Sequence, residues 1–143
     1  MRKIILTGLL ASIAFSASAQ DAPSPIGRWK TFDAGKPKGI VEIYQARDGT
    51  LAGKVLAVLD LKEGHDPACT HCRGALHNRP IVGMVTLQGL KPAGSGHWHG
   101  GSVLDPENGR TYKAKLELLD GGRRLGMSGC VGFLCRQQVW TRE

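Results

Sequence analysis

Tyr112-Lys113-Ala114-Lys115-Leu116-Glu117-Leu118 alternates apolar and charged residues without a slip. A period of two puts Tyr112, Ala114, Leu116 and Leu118 on one face and the charged residues on the other, the pattern of a strand with one dry side. Asp120-Gly121-Gly122 follows, a triplet suited to a tight turn, so residues 123–131 are expected to run back antiparallel.

The same rhythm extends outward in both directions. Residues 134–142 complete the C-terminal side, and residues 98–104 precede the turn Asp105-Pro106-Glu107-Asn108-Gly109. Residues 81–90 form a further apolar segment. Ile40-Val41-Glu42-Ile43-Tyr44 is β-branched and alternating, and Asp48-Gly49 joins it to residues 51–59 as a hairpin. A Gly/Pro/Lys turn over residues 35–39 separates it from a first strand at 26–32, where Trp29 stands between Arg28 and Lys30. This makes about eight strands in meander order, with no amphipathic helical period. The expected fold is all-β, an antiparallel up-and-down barrel with one long Cys/His-containing loop. Closure removes the unpaired edges of an open sheet and leaves an interior filled by side chains or able to hold one small ligand. A flattened two-sheet sandwich is the structural alternative.

Residues 1–19 read as a secretory signal: Arg2 and Lys3, an apolar run over 4–15, then Ala17-Ser18-Ala19, the small-x-small pattern cut by signal peptidase. The run is shorter than the 20 or so apolar residues of a membrane span. The mature chain is expected to begin at Gln20, with residues 20–143 forming one domain without a transmembrane segment, periplasmic or secreted. Formal charge is +7; loss of Arg2 and Lys3 leaves 17 basic against 12 acidic residues, or +5. The basic residues are scattered, with Arg123-Arg124 the only adjacent pair in the mature chain, so the charge reads as a solvated surface rather than a nucleic-acid site.

Five segments taken together, Gly27-Arg28-Trp29-Lys30-Thr31, Ile40-Val41-Glu42-Ile43-Tyr44, Arg79-Pro80-Ile81-Val82-Gly83-Met84, Gly100-Gly101-Ser102-Val103-Leu104-Asp105-Pro106-Glu107-Asn108-Gly109 and Trp140-Thr141-Arg142, resemble the DUF2147 family of small exported bacterial proteins. The resemblance spans the mature chain in order and implies a lipocalin-like, calycin-type barrel outside the cytoplasm. Lipocalins carry Gly-x-Trp on the first strand and a basic residue near the last strand that covers the tryptophan. Gly27 and Trp29 match the first element, and Arg136 or Arg142 is available for the second. The resemblance carries no catalytic residues.

Residues 60–79 break the strand pattern with His65, Cys69, His71, Cys72 and His77 and no period, a length that marks a functional or stapled segment. Four cysteines in an exported chain imply two disulfides. Chain entropy favours long bridges, at about 4 kcal/mol against roughly 2 for local ones. Geometry favours Cys69 with Cys72 inside the loop and Cys130 with Cys135 across the Gly132 turn. A redox-active Cys-x-x-Cys needs a following helix that the pattern lacks, and haem attachment needs His where Arg73 stands. The loop histidines, with His97 and His99 flanking Trp98, offer soft ligands, but thiolates are poor ligands in an oxidising compartment. No metal site and no cofactor are expected. Asp105 and Glu107 read as turn residues rather than a catalytic pair.

The leading functional expectation is a non-enzymatic binder of a small apolar or amphipathic molecule inside the barrel. The interior candidates are Trp29, Val41, Ile43, Tyr112, Ala114, Leu116 and Leu118, with Trp98 at the rim. Ala114 leaves a gap that a larger residue would close. The same residues are equally a filled core. The competing expectation is an envelope structural or interaction module that meets a partner protein through its outer surface or the 60–79 loop.

Overall fold

Eight strands hydrogen-bond in sequence order and close on themselves: β1 (Gly27–Asp33), β2 (Lys36–Gln45), β3 (Leu51–Val58), β4 (Val85–Pro92), β5 (His97–Asp105), β6 (Arg110–Leu119), β7 (Arg124–Val131) and β8 (Leu134–Arg142). The computed structural model describes residues 22–61 and 64–143. The signal-peptide reading of residues 1–19 and the start at Gln20 lie outside them. All pairings are antiparallel, so the chain is an up-and-down barrel rather than a sandwich.

Meander order divides the connections between two ends. The β2–β3, β4–β5 and β6–β7 turns share one end with the N-terminal residues 22–26 and the C-terminus, and this end is the floor. The β1–β2, β5–β6 and β7–β8 turns and the long β3–β4 connection share the other, the mouth.

Two boundaries differ from the sequence reading. The β1–β2 turn takes only Ala34 and Gly35, both at positive φ (47° and 77°), the two-residue geometry that matches strand twist. Residues 36–39 therefore belong to β2 instead of the turn. Pro37 is accommodated opposite Phe32, where the register shifts and a ladder donor is dispensable. The fourth strand begins at Val85, not residue 81, because Gly83 at φ 91° redirects the chain and leaves Ile81 in the loop.

Inward residues form one core in which Trp29, Ile43, Leu87, Leu90, Leu116 and Leu125 are fully buried. The β1–β8 seam has only two ladder pairs, Trp29 with Arg142 and Lys30 with Thr141. Side chains reinforce it. The Arg142 guanidinium lies 4.1 Å from the Trp29 ring centroid and donates to the carbonyl oxygens of Gly122 (3.0 Å), Ile26 (2.9 Å) and Ser24. Trp29 Nε1 donates to the Pro25 carbonyl at 2.8 Å. Arg142, not Arg136, thus covers the tryptophan, and desolvation pushes its pKa below the usual arginine value. Arg136 instead faces Asp33 near the mouth, at 3.5 Å.

Trp29→Ala is expected to remove about 3–5 kcal/mol of stability, the usual cost of deleting a buried aromatic. Arg142→Lys keeps the charge but not the planar fork that reaches several carbonyls, and should lose about 1.5–3 kcal/mol. Urea melts check both; a parent-like midpoint for either variant contradicts the closure described.

Candidate functional site

The long β3–β4 connection has a structure of its own. An isolated bridge joins Ala68 and Pro80, and around it Cys69 N–H donates to Arg79 O (2.8 Å) and Asn78 N–H to Cys69 O (2.9 Å). Cys69–Cys72 is a disulfide, and both sulfurs are buried in a small second cluster with Met84, against which Ile81 and Leu104 pack. Ile81 also packs on the barrel core, so the two clusters are joined. The end of the loop is latched to β3 by hydrogen bonds between Gly83 N–H and Val55 O and between Val55 N–H and Met84 O.

The β5–β6 turn is the other wall against which this loop rests. Asp105 Oδ1 accepts the Glu107 N–H at 2.9 Å, and Gly109 leaves the turn at φ 70°. A Cβ at Gly109 would run into the His71 carbonyl, so the glycine is required by both conformation and contact. Lys38 ties the arrangement down by pairing with Asp60 and Glu107. Its ammonium is held above the ordinary lysine pKa, chiefly by the hydrogen bond to Glu107.

Loop and turn bound a cleft of about 560 Å³ at the mouth, lined by His71, Arg73, Asn108, Gly109, Arg110, Thr111, Tyr112 and Val131. Tyr112 Oη accepts from Asn108 Nδ2 at 2.9 Å, which fixes the ring beside the cleft. A second concavity of about 640 Å³ includes Tyr44, Gln88, Gly89, Gly100 and Ser102 across β2–β5. Strand alternation places Tyr44, Gln88 and Ser102 on the outer wall.

The interior candidates do not form one site. Trp29, Val41, Ile43, Ala114 and Leu116 are buried in the main core, while Leu118 and Trp98 are half-buried against it toward the floor. Tyr112 is half-buried but stands at the mouth, outside that core. Trp98 pairs with Leu116 and Pro92, so it closes the floor side instead of the mouth rim. The cleft's Arg73 and Arg110 escaped the sequence reading because 37 positions separate them; only the folded loop brings them together.

Between the bulky layers lies a row of small residues. Gly101, Ala114 and Gly129 are in register across β5, β6 and β7. Leu90 fills the space over Gly101, where a Cβ would come within 2.6 Å of its Cγ. Gly129 has more freedom, since a Cβ there meets Tyr112 and Val103 only at 3.6 Å.

A second disulfide, Cys130–Cys135, staples the β7–β8 hairpin across directly paired positions. His97 and His99 meet edge to face at 6.4 Å between centroids, and among the described residues no group of three or more His, Cys, Asp or Glu is placed to hold a metal ion.

Residues 27–142 match the family model described as an uncharacterized protein conserved in bacteria, DUF2147. The chain belongs to the DUF2147 family. Protein HP1028 from the human pathogen Helicobacter pylori, described as belonging to the lipocalin family, has a similar solved structure: TM-score 0.73, 20% identity, covering 84% of this chain and 83% of that one. No curated protein matches the chain. At that identity the likeness gives this DUF2147 protein a lipocalin-like fold.

Gly109→Ala is expected to lower stability by more than the 1–2 kcal/mol or so that a left-handed backbone costs an L-residue, because the His71 carbonyl must also move. Thermal melts with limited proteolysis test this. The variant should be cut within residues 64–81 under conditions that leave the parent intact.

Proposed function

We propose that this DUF2147 protein is an exported, non-enzymatic carrier of a small amphipathic molecule, bound tail-first from the mouth. The observation that supports this most is the step in the inner wall at Ala114 and Gly129. It sits below Tyr112 and Val103 and above the filled layer of Leu116 and Met127. Tyr112, which stands over Gly129, also lines the cleft, where Arg73 and Arg110 offer positive charge to an anionic head group. Apolar area withdrawn from water at about 25 cal/mol per Å² supplies the affinity for the tail, and the cations orient the head.

Two local disulfides agree with maturation in an oxidising compartment, as expected for a periplasmic or secreted protein. Carboxylates with defined partners include Asp105, which caps a turn, Glu107 and Asp60, which hold Lys38, Asp48, which accepts from Thr50, Asp33, which faces Arg136, and Asp120, which holds Arg124.

The test is uptake of a fluorescent fatty-acid probe. Ala114→Phe should abolish uptake while far-ultraviolet circular dichroism stays unchanged. Gly129→Val, a smaller intrusion into the same step, should weaken it. A parent protein that takes up no probe, or a Gly129→Val variant that folds and binds as the parent does, removes the carrier reading.

A further inference from the structure

The tip of the β7–β8 hairpin presents Val131, Phe133 and Leu134 to solvent, at 66%, 94% and 70% exposure. Single exposed apolar residues are ordinary, but three on a four-residue tip make a patch that calls for a contact. The hairpin is held immediately below by Cys130–Cys135, and Cys130 is itself buried. The chain turns at Gly132 with φ 57°. The tip is therefore a stapled apolar projection, fixed at the mouth end of the barrel.

Positive charge flanks it. Arg73 and Arg110 line the cleft together with Val131, and Lys113 stands opposite Cys130 in the β6–β7 ladder. Among the described residues none of these three cations has an ion-pair partner. Arg136, on the hairpin itself, pairs with Asp33. The neighbouring acids are engaged: Asp105, opposite Arg110, accepts the Glu107 amide, and Glu107 pairs with Lys38.

A convex apolar tip beside cations that form no ion pair among the described residues complements a deformable surface that is negative outside and apolar beneath. An anionic phospholipid bilayer has both properties. A protein partner would instead have to provide a matching concave pocket. We infer that the 131–134 tip docks the protein on an anionic phospholipid surface, mouth first, with Phe133 and Leu134 entering the headgroup boundary and Arg73, Arg110 and Lys113 facing the phosphates. Arg73 and Arg110 are shared with the proposed head-group site, whereas Phe133, Leu134 and Lys113 are not, so docking through the tip stands or falls apart from ligand uptake.

Flotation with phosphatidylcholine vesicles, with and without about a third phosphatidylglycerol, tests the inference. The parent should float with the anionic vesicles and not with the neutral ones, and added salt should weaken the association. Phe133→Ser with Leu134→Ser leaves net charge unchanged and should lower partitioning about tenfold or more. Phe133→Trp should bind as the parent does, and Arg73→Gln with Arg110→Gln should weaken binding to anionic vesicles alone. Parent protein that ignores anionic vesicles overturns the inference, as does a folded double-serine variant that floats undiminished, since charge alone would then account for binding. A parent that self-associates through the tip and ignores vesicles makes a second copy of the chain the occupant and overturns it equally. Probe uptake by the double-serine variant separates this outcome from failure of the carrier reading.

Discussion

Closure at the β1–β8 seam is the constraint from which the rest follows. A meander of eight strands has two edges, and here only Trp29–Arg142 and Lys30–Thr141 join them by ladder pairing. So short a seam is sustained because Arg142 does several things from one position. Its guanidinium covers the Trp29 ring, worth around 0.5–2 kcal/mol for such a contact. It also gathers carbonyls from the β6–β7 connection and from the N-terminal lead. The fork geometry of arginine explains why one residue can tie three segments together. Gly27 reflects the same crowding, because a Cβ there would lie 2.8 Å from an Arg142 nitrogen.

A floor closed in this way leaves the mouth free to vary. Bulky residues collect toward the floor, where Leu118 pairs with Leu125 and Leu125 with Trp140, and the wall thins to Gly101, Ala114 and Gly129 further along. Stability and any binding capacity thus draw on different layers of one barrel. The mouth is reinforced separately. It receives two local disulfides, the small Cys69–Cys72–Met84 cluster and the Lys38 pairings. Short loops closed by local disulfides each contribute only about 2 kcal/mol on the chain-entropy view, so their effect is chiefly to hold a loop and a hairpin in shape.

Most of the barrel was legible because strand alternation is a local signal. Tyr112 to Leu118 reads directly, and Asp48-Gly49 and Asp120-Gly121-Gly122 mark their turns by conformational demand. Both disulfides followed from spacing. The β1–β2 turn was misplaced because Ala34, a residue without turn preference, adopts positive φ, while the more evident Gly/Pro run continues as strand. Trp98 lies toward the floor, which alternation alone does not give: it fixes a residue's side but not its height in a barrel with register shifts, and one lies between Trp98 and Gly101. The mouth cleft was invisible for a different reason. Its residues come from a loop without period and a turn far away in sequence, and the contact that unites them, Gly109 beneath the His71 carbonyl, is backbone against backbone.

The two ends of the barrel therefore carry opposite solutions to the same problem of exposed surface. At the floor, the indole of Trp29 is withdrawn and its neighbouring cation is engaged by carbonyls. At the mouth, Phe133 is left in water at the tip of a disulfide-stapled hairpin, and among the described residues the arginines of the adjacent cleft form no ion pair. A hairpin with no external role would lose nothing by carrying a polar residue at position 133, whose side chain is almost fully solvated. Holding apolar residues outward by a covalent staple makes physical sense when their burial is completed by something outside the chain, and the position of the tip directs that contact to the end from which the barrel would be loaded.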